Sequence, residues 1–216
     1  MSIAVVIPAR DEAELIAHCL ESLNGAHAIV VADGCRDSTA DIARRLGAQV
    51  IEIEKANVGL ARAIGCEAAL LDPEVDWLAC TDADSVVPPN WLRVQRQLAD
   101  AGADAVVGTV RPDFDDLTAL QTRAWLATHQ QGVANGHVHG ANLGLRASAY
   151  LSVGGFAPVL EHEDNDLVAR LATAGFAVTP TAAIEVVTSG RTFGRTPGGY
   201  ARYLRDDLMR STEQIA

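Results

Sequence analysis

The chain has 216 residues, with 17 Lys and Arg against 28 Asp and Glu, for a formal net charge of −11. Hydrophobic residues make up 49% and charged residues 21%. That balance excludes general disorder and lets a chain of this length bury roughly 70% of its unfolded surface in one domain. The acid excess excludes a broad basic field for nucleic acid or an anionic membrane, so any anionic ligand has to be handled locally.

Residues 3–7 (IAVVI) form the kind of apolar run seen in strands buried on both faces. No basic residue precedes this run, and Arg10, Asp11 and Glu12 follow it closely, unlike a secretory leader. Residues 12–23 place Leu15, Ile16, Cys19, Leu20 and Leu23 on one helical stripe. The unit then repeats as strand 28–32, helix 38–46, strand 49–53, helix 58–71 and strand 77–81. Pro88-Pro89-Asn90 opens a helix to about residue 101, and 105–110 reads as a fifth strand. This alternation predicts right-handed crossovers and an α/β fold with a mainly parallel central sheet flanked by helices.

After Arg111 the rhythm changes. A helix is expected around 116–131, then a Gly/His-rich loop at 132–140, a short strand at 141–145 and a helix at 163–174. Strand-like pieces follow at 177–179 and 184–187. Residues 189–199, rich in glycine and carrying Arg191 and Arg195, read as a mobile loop before a final amphipathic helix at 200–209. No apolar run approaches the ~20 residues of a membrane helix. Cys19, Cys35, Cys66 and Cys80 have no C-x-x-C spacing and read as reduced thiols of a cytoplasmic protein.

In open α/β sheets ligands sit beyond the carboxyl ends of the strands, and that is where the polar residues collect. The first strand ends in Pro8-Ala9-Arg10-Asp11-Glu12, the second in Asp33-Gly34-Cys35-Arg36-Asp37 and the fourth in Asp82-Ala83-Asp84. Each alone reads as a strand-to-helix turn whose Asp caps the next helix. Together they bring carboxylates to one rim, an arrangement that makes best sense with a divalent cation or hydrogen donors present. Asp82-x-Asp84 offers oxygen ligands suited to Mg²⁺ or Mn²⁺.

Five ordered motifs between residues 3 and 176 resemble the family 2 glycosyltransferases, with their GT-A, Rossmann-like nucleotide-sugar-binding fold. V-V-I-P-A-R-D-E is similar to that family's P-x-Y-N-E start, V-V-A-D-G-C-R-D-S-T to its V-V-D-D-G-S-x-D-G-T, and T-D-A-D-S-V-V-P-P-N-W-L to its D-x-D region. H-G-A-N-L-G-L-R…G-G-F is similar to an acceptor-side segment, and E-H-E-D-N-D-L to its E-D dyad. The resemblance implies a single domain over 1–216. Residues 1–110 would form a nucleotide-sugar-binding half and 111–188 a smaller, mixed acceptor and catalytic half, with the loop and last helix at 189–216.

By the same resemblance Pro8, Ala9 and Arg10 line the nucleobase pocket, with Glu12 beside them, and Asp33 accepts a hydrogen bond from the base. Arg62 lies near the nucleotide, Asp82 faces ribose or diphosphate, and Asp84 binds the metal. Gly140, Ala141 and Asn142 lie on the acceptor side. Asp164 is the general base and Glu163 orients acceptor hydroxyls; a helix amino terminus stabilises ionised carboxylates by ~0.3–1 kcal/mol each. Arg10 stands where an aromatic residue often stacks on the base, Ala32 replaces the first of two usual aspartates, and the Q-x-x-R-W of processive synthases is missing. The implied reaction is therefore transfer of one sugar from a nucleotide-diphosphate sugar to a small-molecule or lipid-linked acceptor, with inversion.

Some residues keep two readings. His137, His139 and His162 are either a third metal ligand or hydrogen-bonding loop residues. Arg191 and Arg195 either clamp a diphosphate when their loop closes or are solvated. Tyr200, Tyr203, Leu204 and Leu208 form a docking face for the domain or for a second copy in a homodimer, and Trp125 reads as core. A sugar-1-phosphate nucleotidyltransferase would need a Gly-rich basic loop after the first strand, yet the first glycine is Gly25. A dehydrogenase would need G-x-G-x-x-G there. A non-catalytic nucleotide-sugar binder would have no need of Asp164.

Overall fold

The computed structural model describes residues 1–130, 132–194, 198–208 and 210. Its sheet grows from β1 (Ser2–Ala9), which pairs in parallel with β2 (Ala28–Asp33) on one side and with β4 (Val75–Cys80) on the other. Outside β2 lies β3 (Gln49–Ile53), also parallel. The helices α1 (Ile16–Ser22), α2 (Thr39–Arg45) and α3 (Val58–Ala69) make the crossovers between these strands.

Beyond β4 the sheet is mixed. The strand β7 (Leu143–Arg146) is antiparallel between β4 and β6 (Ala105–Pro112), and β8 (Val178–Thr188) runs parallel to β6. A two-residue strand, β5 (Ser85–Val86), pairs antiparallel with the end of β8. The order is β3-β2-β1-β4-β7-β6-β8-β5. Four further helices flank it: α4 (Trp91–Asp100), α5 (Ala119–Thr128), α6 (Ala147–Ser152) and α7 (Glu163–Thr173).

Alternation along the buried strands sends neighbouring side chains to opposite faces, which explains two separate cores. Val5, Ile7, Val30 and Trp77 pack with Ile16 and Cys19 of α1 and Trp91 of α4 on one face. On the other, Ala4, Val6, Ile29 and Leu78 pack with Cys66 of α3 and with Leu167 and Leu171 of α7. Gly65 lets α3 lie close on β1, since a Cβ there would stand 2.4 Å from a Val6 methyl.

The chain differs from the expected elements in four places. The first helix begins at Ile16, because the Glu12 carbonyl closes a turn with the N–H groups of Leu15 and Ile16 while the Glu12 N–H is held by the Thr39 hydroxyl. The two strand-like pieces near the end are one strand, β8, which passes a register shift opposite Gly108 and Thr109. Neither β5 nor α6 was expected; both are too short for a periodic signal. The loop at 189–199 is not free where it leaves β8. The Ser189 N–H donates to the Asp84 carbonyl (3.1 Å) and the Gly190 N–H to the Asp116 carboxylate (2.7 Å).

The last helix starts as α8 (Tyr200–Arg202) and widens into a π-helical turn over Tyr203–Asp207. Leu204 and Leu208 are fully buried against Ala124 and Trp125 of α5, with Phe114, Leu117, Tyr200 and Tyr203 around them. Of the two expected partners for this face, the domain itself is the one seen: Leu204 and Leu208 are covered by the chain's own α5. Trp125 is buried as expected, and its indole donates to the Tyr200 hydroxyl at 3.1 Å. Among the described residues, no helix is long and apolar enough to cross a membrane.

Candidate active site

The carboxyl ends of β1, β2 and β4 open into a cleft of about 620 Å³ that also reaches the amino end of α7 and the start of α8. Pro8, Ala9, Arg10, Glu12, Asp33, Arg62, Asp82 and Asp84 line it. So do Gly140, Ala141, Glu163, Asp164 and Arg191, together with the ring cluster of His129, His137, His139, Tyr200 and Tyr203. Most of the residues singled out in the sequence thus share one cavity. Arg195 lies outside the described residues.

At the end of β2, the Asp33 carboxylate accepts backbone N–H groups from Lys55 (2.7 Å), Ala56 (2.8 Å) and Asn57 (2.7 Å). It therefore ties down the turn into α3, where the Asn57 side chain caps the helix by accepting from the Leu60 N–H.

The centre of the cleft is a lattice of opposite charges. Arg62, buried on α3, donates from Nη2 to Asp82 (2.5 Å), from Nε to Glu163 (2.9 Å) and from Nη1 to the Gly140 carbonyl (3.3 Å). Burial alone would push its guanidinium down, but the charges of Asp82 and Glu163 outweigh that and hold it above its ordinary value. Gly140 cannot be larger, since a Cβ would stand 2.3 Å from Arg62 Nη2. Glu163 is consequently turned to Arg62 and only 4% exposed. It lines the cleft while its Oε1 holds Arg62.

Asp164, beside it at the start of α7, remains half-buried on the cleft. One carboxylate oxygen accepts the Gly140 N–H (2.7 Å), and the other accepts from the backbone and side chain of Asn165 (2.7 and 2.9 Å). These donors fix the carboxylate's orientation.

Asn142 is corrected. It is 1% exposed, its amide donates to the carbonyls of Thr109 (2.8 Å) and Ile184 (2.6 Å), and its oxygen accepts the Trp91 indole N–H (2.8 Å). It clamps α4, β6 and β8 inside the fold and does not reach the cleft. A Cβ at Gly108 would fall 2.2 Å from its amide nitrogen, so Gly108 makes the room for it.

The Asp84 carboxylate sits where β5 meets the end of β8. Its Oδ1 accepts from the hydroxyls of Ser85 (3.3 Å) and Thr188 (3.2 Å), and its Oδ2 pairs with Arg191 at 2.8 Å. The same guanidinium grips Glu12 through two nitrogens, at 3.0 and 2.8 Å. Burial and the charge of Asp82 push the Asp84 carboxyl up to about 6, despite the opposing pull of Arg191. Sequence reasoning had no signal for the hydroxyls of Ser85 and Thr188 here; the pairing of β5 with β8 alone brings them together.

A second acidic group, Asp11, Cys35 and Asp37, also brings its ligand atoms together. Its carboxylates are engaged by the N–H groups of Arg36, Thr39 and Ala13, so it works as a loop fastener. His139 faces the ring of Tyr200 at 5.8 Å, and burial lowers its imidazole below the ordinary value.

Residues 4–148, two thirds of the chain, match the family model of glycosyl transferase family 2. The chain belongs to that family. Over 110 residues it is 34% identical to the dolichyl-phosphate hexose transferase of Haloferax volcanii, a stretch covering 49% of this chain and 46% of that one. The family 2 chain thus aligns with about half the length of this curated relative. Its fold is that of S. aureus TarS 1–349 in complex with UDP-GlcNAc, with a TM-score of 0.69 at 14% identity over 98% of this chain and 65% of that one. It is equally that of the mannosyltransferase PcManGT of Pyrobaculum calidifontis in complex with GDP-Man and Mn²⁺. There the TM-score is 0.68 at 22% identity, over 99% and 64% of the two chains. The fold is accordingly GT-A, an α/β domain whose curled mixed sheet is flanked by helices.

Proposed function

We propose that this family 2 chain transfers a single sugar from a nucleotide-diphosphate sugar to an acceptor hydroxyl, with inversion at the anomeric carbon. The observation that carries the reading is the cleft that Arg10, Asp82 and Asp84 line together with Asp164. The hexose transferase relative and the nucleotide-sugar complexes of the similar structures support the same donor class.

Pro8, Ala9 and Arg10 receive the nucleobase, the Arg10 guanidinium offering a flat cationic face. Asp33 shapes the edge of that pocket through the turn it holds. Asp82, steadied by Arg62, faces the ribose and diphosphate. Gly140 and Ala141 floor the acceptor side, where the histidine and tyrosine wall offers apolar ring faces and hydrogen-bonding edges to a small-molecule or lipid-linked acceptor.

The carboxylate and hydroxyl oxygens gathered at Asp84, with the charges of Asp82 and Glu12 close by, fit a hard divalent cation such as Mg²⁺ or Mn²⁺. When bound there, with Asp84 as ligand, the cation would neutralise charge on the departing diphosphate. Asp164 takes the acceptor hydroxyl's proton as that oxygen attacks the anomeric carbon, and the bond from that carbon to the diphosphate breaks on the opposite face. The reduced state of the four cysteines supports a cytoplasmic setting.

Asp164→Asn tests the assignment. It is expected to lower transfer by about 10²–10⁴-fold while nucleoside diphosphate with Mn²⁺ still raises the melting temperature of the variant. Full transfer by the variant would remove Asp164 from the chemistry.

A further inference from the structure

Of the two arginines in the charge lattice among the described residues, one is fixed and one can move. Arg62 has a side chain only 3% exposed, and its Nε and Nη2 are committed to Glu163 and Asp82. Arg191 has a side chain 34% exposed and reaches the site from the end of β8. Its backbone is held. Ser189 and Gly190 are fastened to Asp84 and Asp116, and a Cβ at Gly190 would meet the Asp113 carbonyl at 2.6 Å. From this held backbone the side-chain torsions of Arg191 can carry its guanidinium elsewhere.

That guanidinium stands between two carboxylates. It pairs with Oδ2 of Asp84 and, through two nitrogens, with Glu12, a carboxylate whose side chain is 6% exposed. Paired charges this deeply placed are costly to separate unless each gains a new partner at once. A divalent cation arriving alone would displace Arg191 from Asp84 and leave the guanidinium with Glu12 only. A nucleoside diphosphate arriving alone would bring further negative charge to a rim that already holds Glu12, Asp82, Asp84, Glu163 and Asp164. Arriving together, the two exchange partners cleanly: the cation takes Asp84, and the arginine fork, still anchored by Glu12, takes phosphate oxygens, a geometry it suits.

Building on the donor site proposed above, we propose that Arg191 is the resident counter-ion of Asp84, excluding divalent cations from it until a donor diphosphate draws the guanidinium away. Cation and donor therefore bind synergistically, and Glu12 is the pivot that keeps Arg191 within reach of both.

The test is Mn²⁺ affinity by electron paramagnetic resonance, with and without UDP or GDP, for the full chain and for Arg191→Met and Arg191→Lys. The expected result for Arg191→Met is Mn²⁺ binding alone at least about tenfold tighter than in the natural chain, with weaker binding of the nucleoside diphosphate in the presence of Mn²⁺. Arg191→Lys, which keeps the charge without the fork, is expected between the two. Unchanged Mn²⁺ affinity in both variants overturns this inference while leaving the donor site standing. Absence of Mn²⁺ binding by every protein, with and without nucleotide, overturns the donor site itself.

Discussion

Asp84 offers a prediction in which function and stability oppose one another. Its carboxyl is pushed from the ordinary 3.8 to about 6 by burial and the neighbouring charge of Asp82, with Arg191 only partly offsetting both. The folded protein therefore keeps this proton up to about pH 6, whereas the unfolded chain releases it near 3.8. Between those values the folded state binds more protons, so this group's contribution to stability falls as pH rises through the window and is constant above it. At 1.36 kcal/mol for each tenfold step, the ionised carboxylate costs about 2–3 kcal/mol at neutral pH. Asp84→Asn removes the charge while preserving the shape. Urea unfolding at half-unit intervals from pH 4 to 8 should show the variant equal to the natural chain at the acid end. It should be more stable by about 2–3 kcal/mol above pH 6.5, even though its Mn²⁺-dependent nucleotide binding is lost. A variant less stable than the natural chain at pH 8, or a difference independent of pH, would refute the electrostatic reasoning.

Arg62→Met leaves Glu163 buried without its counter-charge and should lower unfolding stability by about 3–5 kcal/mol, read by the same denaturant titration. Asn142→Ala strands the Trp91 indole N–H and two carbonyls in the core; at least about 2 kcal/mol of stability should be lost. The acceptor KM of the folded fraction should not change, whereas an acceptor-binding Asn142 would raise it. Gly140→Ala drives a methyl into the Arg62 guanidinium and should cost about 1–3 kcal/mol, with an unfolding midpoint no lower than natural counting against the packing described.

How far the molecule could be read in advance depended on the range of the interactions involved. The units from β1 to β4 write themselves into the chain through doubly buried strands and amphipathic stripes, so the alternating elements and the strand ends carrying Asp33, Asp82 and Asp84 were legible. The insertion of β7 between β4 and β6 was not, because antiparallel pairing of a four-residue strand leaves no local pattern. Asn142 shows the same limit at the level of one residue. Its motif suggested the acceptor side, while its side chain answers to Trp91, Thr109 and Ile184, each more than 30 residues away in sequence. Glu163 and Arg191 were likewise visible as charged residues but not as partners, since Arg62 lies 101 residues from the first and Glu12 lies 179 from the second. The stripe of Tyr200, Tyr203, Leu204 and Leu208 left two partners open for a related reason: an apolar stripe announces that it will be covered, not what covers it.

Isothermal titration of the full chain with UDP and with GDP, each at saturating Mn²⁺, tests the central claim of a nucleotide-diphosphate donor site at this rim. The account predicts that at least one of the two binds with Mn²⁺ present and that Asp84→Ala abolishes the heat. Silence from both nucleotides in the natural chain, or binding that survives Asp84→Ala unchanged, would contradict it.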